Sequence, residues 1–168
     1  MNKTAAALHA QLIRNFNDAA LTRETREPLY DSYCTRLAEG TAALKLGATV
    51  DIVAPGKRSC PYHLHHAQEE MFIVLEGSGT LRVAGELLPL RAGDMVFIPP
   101  GPEYPHQIIN TSDMPLKYLS ISTKEQPEVV EYPDSRKYLA SARVGGQDHG
   151  FARIHRAEDD LDYWDGEP

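Results

Sequence analysis

The sequence predicts an all-β sandwich or barrel, and three observations carry that expectation. Apolar and polar residues alternate over short runs. Glycine and proline interrupt the chain between those runs. No helical period fills the gaps.

The elements follow in order. Residues 3–20 place Leu8, Leu12 and Phe16 at i, i+4 spacing in an alanine-rich stretch, which predicts a short helix. The segment "LTRETREPLYDSYCTRLAEG" is polar and contains Pro28, and reads as an irregular arm. From Leu44 the period changes to two: Leu44, Leu46, Ala48, Val50, Ile52 and Ala54 alternate with polar or small residues, Val53 excepted, up to the turn pair Pro55-Gly56. "EMFIVLE" ends at Gly77-Ser78-Gly79, "TLRVA" and "LLPL" flank Gly85-Glu86, and "DMVFI" runs into Pro99-Pro100-Gly101. "HQIIN" and "LKYLSIS" straddle the polar "TSDMP". Beyond Thr123, "KEQPEVVEYPDSRKY" and "RAEDDLDYWDGEP" read as a C-terminal extension whose charges belong to a solvated strand or coil.

A chain of 168 residues, 42% hydrophobic and 24% charged, is large enough for one real core. Its 24 acids against 17 bases give a net charge of −7, which disfavours nucleic acid and anionic membrane as partners. No apolar run approaches the ~20 residues that span a bilayer, and the first residues do not read as a signal peptide. Two cysteines, Cys34 and Cys60, are too few for a disulfide framework, so a reduced, cytoplasmic protein is expected. Cys60 stands in a Cys-x-x-His spacing with His63, but one such pair reads as a plain thiol.

Chemistry concentrates in "CPYHLHHAQEEMFIVLEG", residues 60–77. On a strand, His63 and His65 share one face, with Leu64 and His66 on the other. Glu70, Phe72 and Val74 share a face opposite Glu69, Met71, Ile73 and Leu75. Both faces carry apolar residues, so parity alone does not choose between the two glutamates. Imidazoles and carboxylates turned into a core need a partner, because desolvating them unpaired costs several kcal/mol.

Gly56, His63, His65, Glu70 and Gly77 resemble the first motif of the cupin superfamily; Gly93, Pro99, Gly101, His106 and Asn110 resemble its second. The six residues between Glu70 and Gly77 select Glu70 over Glu69. Two departures are visible: six residues rather than five separate Gly56 from His63, and the four residues "PEYP" separate Gly101 from His106. The resemblance covers residues 41–123. It implies a double-stranded β-helix, or jelly-roll barrel, between an N-terminal arm (1–40) and a C-terminal extension (124–168).

It further implies one divalent metal ion (Fe, Mn, Ni, Co or Zn) held by His63, His65, Glu70 and His106. Such a set leaves positions open on an octahedral ion for substrate. His66 and Glu69 are expected outward. The apolar row Met71, Ile73 and Leu75 needs a cover, and a homodimer in which the arm contributes to the interface is expected. Three functions fit a small polar substrate: a metal-dependent sugar isomerase, an Fe(II) dioxygenase, or a non-catalytic small-molecule-binding module. The isomerase is the leading reading, with Glu103 or Tyr104 of the "PEYP" loop as proton carrier. Arg82 is expected outward, which favours an unphosphorylated substrate or a phosphate held at the rim. The chain carries neither a phosphate-cradling P-loop nor a nucleophile elbow.

Overall fold

The computed structural model describes residues 3–142 and 150–168, and among these residues alternating apolar positions punctuated by glycine and proline produce thirteen short strands. After a short helix α1 (Ala5–Leu12) come β1 (Thr22–Arg26), β2 (Tyr30–Arg36), β3 (Leu46–Val53), β4 (Leu64–His65) and β5 (Glu70–Glu76). Then follow β6 (Ser78–Val83), β7 (Glu86–Arg91), β8 (Met95–Ile98), β9 (His106–Ile109) and β10 (Leu116–Thr123). The C-terminal strands are β11 (Glu128–Tyr132), β12 (Lys137–Ala142) and β13 (Phe151–Arg156).

One sheet runs β1-β2-β3-β10-β5-β8, with antiparallel pairing throughout. Facing it are β7-β6-β9 and β13-β12-β11-β4. Single antiparallel bridges at Arg58–Ile109 and His63–His106 fasten the stretch before β4 to β9 and join these two groups. The result is a double-stranded β-helix. Its core gathers Val53, Phe72, Val74, Leu81, Ile98, Ile108, Leu116 and Tyr118 between the sheets. Leu116 and Val53 are fully buried; truncating Leu116 to alanine would cost about 2–5 kcal/mol. Gly77, at φ 82°, has no room for a side chain, because a Cβ there would lie 2.5 Å from the Pro115 carbonyl oxygen.

Several local expectations change. The expected helix over 3–20 shrinks to Ala5–Leu12, with Thr4 as its N-cap. The segment read as an irregular arm contains β1 and β2, which pair with each other and extend the main sheet through β3. Their polar sequence hid them, since β1 is largely exposed. Leu44 is exposed and outside β3. Within β3 the exception to the alternation is the core residue: Val53 is buried, Ile52 only half-buried, and Asp51 is buried as well. The C-terminal segment divides. β13 is exposed along its length, whereas β11 buries Glu128 and Val130 and pairs with β4.

On the outer face, Met71, Ile73 and Leu75 are half-buried. The segment after α1 covers part of this side, since the Lys117 ammonium lies 5.3 Å from the Phe16 ring centroid and donates to Asn17 Oδ1. Met95 and Phe97, the register partners of Ile73 and Met71, are exposed.

Candidate metal centre

His63 and His106 are brought together by the backbone. The His63 N–H donates to the His106 carbonyl at 3.1 Å, and the His106 N–H returns a bond at 2.7 Å. His65 is held by the pairing of β4 with β11, opposite Val130, and its carbonyl accepts from Gly101 N–H at 2.7 Å. The inward parity of Glu70, Phe72 and Val74 holds: all three are buried, while Glu69 is exposed. The first motif's histidines, its glutamate and the second motif's histidine thus meet inside one end of the barrel.

Three imidazole nitrogens converge on one carboxylate oxygen. Glu70 Oε2 lies 2.9 Å from His106 Nε2, 3.4 Å from His65 Nε2 and 3.7 Å from His63 Nε2. Donor atoms of His63, Glu70 and His106 all lie within 4.8 Å of one another, and His65 adjoins this set through Glu70. Nδ1 of His63 donates to the Pro61 carbonyl at 2.8 Å, and Nδ1 of His106 to the Tyr104 carbonyl at 3.1 Å. Those bonds fix the tautomer that leaves the Nε2 lone pairs facing Glu70. Lone pairs of like polarity crowded together in a buried site fit a cation. A metal bound at roughly 2.0–2.2 Å sets its neighbouring ligands about 3 Å apart, close to the spacing seen. The mixed nitrogen and carboxylate set suits Fe, Mn, Co, Ni or Zn.

Electrostatics favour a neutral His63 beside an ionised Glu70. Burial, reinforced by the neighbouring His106, pushes His63 down to about 4. Burial pushes the Glu70 carboxyl up, but the pull of the neighbouring imidazoles in their protonated form, His106 first, outweighs it and holds the carboxyl below its ordinary value.

Glu128 is a residue that the sequence reading passed over. Only 3% exposed, it accepts backbone N–H bonds from His66 (3.1 Å), Ala67 (3.4 Å) and Gln68 (2.8 Å), and its Oε1 lies 3.7 Å from His65 Nδ1. It therefore shapes the loop after His65 and stands behind that imidazole. The alternation of Glu128 and Val130 in "PEVVEY" was the available signal, masked by the charge of the segment.

The other candidates lie elsewhere. His66 faces out and bonds Glu131 at 2.6 Å. Cys60 is not among the donor atoms that gather at Glu70, and burial pushes its thiol up to about 12. Glu103 and Tyr104 are exposed, and among the described residues no hydrogen bond or ion pair joins their side chains to the cluster. Tyr104 takes part through its carbonyl alone. Arg82 faces away from the cluster, stacked 3.8 Å from the Tyr62 ring centroid and bidentate to Asp134. A cavity of about 390 Å³ reaches His65, bounded by Gln68, Gln126, Val130, Leu139 and Phe151 among others.

Comparison with known proteins places this geometry. Residues 49–122 match a family model described as the cupin domain. An uncharacterized protein, MJ1618, from Methanocaldococcus jannaschii is 31% identical over 119 residues, which cover 68% of this chain and 84% of that one. A provisionally assigned sugar phosphate isomerase from Acidithiobacillus ferrooxidans superposes with a TM-score of 0.75 at 26% identity, over 90% of this chain and 96% of that chain. A sugar phosphate isomerase from Silicibacter pomeroyi, described as of a cupin superfamily, shares the fold at TM-score 0.67 and 24% identity, over 76% and 77% of the two chains. No helix among the described residues is long and apolar enough to cross a membrane.

Proposed function

Because the chain belongs to the cupin superfamily, we propose that it is a metal-dependent isomerase of a small phosphorylated sugar, with one divalent ion held by His63, His65, Glu70 and His106. The observation that carries this reading is the convergence of three imidazole nitrogens on Glu70 Oε2. Similarity to the Acidithiobacillus protein supports the substrate class. When bound, the ion supplies Lewis acidity to a substrate carbonyl and its neighbouring hydroxyl.

The chain's own residues do the rest. The carbonyls of Pro61 and Tyr104 orient two imidazoles, and Glu128 stands behind the third. Val130, Leu139 and Phe151 line one wall of the cavity at His65 and limit water there. Loop 101–105 is tied to the cluster at both ends, through Gly101 to the His65 carbonyl and through the Tyr104 carbonyl to His106. Glu103 or Tyr104 on that loop would move the proton between neighbouring carbons. The exposed Met95 and Phe97 beside Met71 and Ile73 support a homodimer through the outer face.

Turnover of aldose and ketose phosphates, with and without air, in the presence of Mn, Co, Ni or Fe tests the reading. Interconversion without oxygen is expected with several metals, since the ion keeps its oxidation state. Strict dependence on Fe and oxygen would make the protein a dioxygenase. Binding without turnover under every condition would make it a binding module.

A further inference from the structure

Beside the donor cluster lies a second cavity, of about 370 Å³, against the inner face of the six-stranded sheet. The register fixes its position. Ser122 is the direct partner of Glu70, and Gly47 of Ser122; in the next row, Thr49 lies between Ser120 and Arg36. Residues directly opposite one another share a face, so Arg36 stands on the same side of the sheet as Phe72 and Glu70. Three strand spacings and a two-residue step along the strand separate Arg36 from Glu70, about 16 Å between backbones. An extended arginine side chain and a five- or six-carbon sugar together bridge that interval.

Charge and hydrogen-bonding capacity at this cavity are unspent. Arg36 and Lys124 both line it, and neither makes an ion pair or side-chain hydrogen bond among the described residues. One carboxylate, Glu39, also lines it and is paired with neither cation. Two unneutralised cations facing one hollow are notable in a chain of net charge −7. Gly47 keeps the floor open, because a Cβ there would lie 2.9 Å from Ser122 Oγ and 3.7 Å from Lys124 Cε. Gln68 and Gln126 line both this cavity and the one that reaches His65. Gln126 Oε1 is buried without a hydrogen-bond partner, an acceptor waiting for a donor.

We propose that this cavity is an anion subsite that takes the phosphate ester of the substrate, with Arg36 as its bidentate anchor, Lys124 as a second charge, and Gln126 accepting a sugar hydroxyl between the phosphate and the metal centre. The proposal deepens the isomerase reading and rests on it for the sugar. Arginine suits a phosphate dianion through paired N–H donors, and lysine adds a point charge. Thr49 and Ser122 bring hydroxyl donors to the same hollow.

Calorimetric titration of chelator-treated, metal-free protein with inorganic phosphate, fructose 6-phosphate, fructose and glucuronate tests the subsite without relying on turnover. Saturable binding of phosphate and of the sugar phosphate is expected, with fructose at least about tenfold weaker than its phosphate. Arg36→Gln should weaken both phosphate ligands about tenfold or more, and Lys124→Gln a few-fold, as for hydrogen bonds to charged groups. Arg36→Lys should recover part of the loss, while circular dichroism and metal content stay at wild-type values. Unchanged phosphate affinity in Arg36→Gln and Lys124→Gln would overturn the proposal, as would wild-type protein that binds no phosphate or prefers glucuronate. Failure of the isomerase reading looks different: phosphate binding sensitive to Arg36 would persist while no sugar phosphate turns over.

Discussion

The two ends of the barrel interior treat buried polarity in opposite ways. At the closed end, beside Val53 and Leu116, Asn110 is fully buried and fully bonded. Its Nδ2 donates to the Val53 and Met114 carbonyls, and its Oδ1 accepts from the Ser112 N–H and hydroxyl. At the other end, three imidazoles and Glu70 turn lone pairs toward one another. A satisfied buried amide builds architecture. Convergent donors left facing each other suit a cation, and the second cupin motif contributes one residue to each kind.

Replacing one residue at each end should separate these roles. His106→Ala should lower metal affinity by more than about a hundredfold while the barrel stays folded, because the ion loses a ligand and Glu70 its shortest contact. Asn110→Ala should do the reverse, costing about 2–4 kcal/mol of stability as the Val53 carbonyl and the Ser112 N–H lose their amide partner, and leaving metal stoichiometry near wild type. Chemical denaturation and metal titration of both variants check this crossing of effects. Equal damage to both properties by both variants would erase the contrast.

Glu128→Gln probes the support behind His65. The loop bonds survive in part, but the carboxylate charge beside His65 Nδ1 is lost. Metal affinity should fall about 10- to 100-fold by titration, and a change below twofold would assign Glu128 to the loop alone.

The pH response of the metal-free protein sharpens the comparison further. His63 is held at about 4 in the fold against an ordinary 6.5, so the unfolded chain takes up the proton first. Stability from this group is therefore lost as pH falls from 6.5 toward 4. Asp51, buried at the level of Tyr118, is pushed up to about 7 by burial and by Glu24, from an ordinary 3.8. Here the fold holds the proton longer, and stability falls as pH rises from 3.8 to 7. Asp51→Asn should gain about 1–3 kcal/mol at pH 8 and flatten the alkaline side. His63→Gln should flatten the acid side. Thermal melts from pH 4 to 8 read both, and identical profiles in the two variants would contradict the assignment.

The smallest effect is expected at the rim. Glu103→Gln or Tyr104→Phe should leave metal content and stability unchanged, because both side chains are exposed. One of the two should lower kcat with little change in KM, and wild-type kcat in both would remove them as proton carriers.

Much of this was legible in the chain because local signals agreed. Glycine and proline at the turns and two-residue alternation in "EMFIVLE" set the strands, and the six residues between Glu70 and Gly77 pointed to the glutamate that lies against the three imidazoles. What escaped depended on pairing at long range. β1 and β2 are polar strands at one side of the sheet, with β1 at its edge, and their only warrant is the sheet they extend, so Arg36 was hidden in a supposed arm. Val53 and Asp51 broke the expected parity of β3 because barrel packing, not alternation, decides which residues bury. Glu128 looked like surface charge until its pairing strand placed it behind His65.

Metal content of protein produced without an affinity resin, set beside that of a His63→Ala, His65→Ala double variant, addresses the central claim most directly. One divalent ion per wild-type chain and near-total loss in a folded double variant is the predicted result. Full occupancy in that variant, or a wild-type chain that holds no Fe, Mn, Co, Ni or Zn when each is supplied, would contradict it.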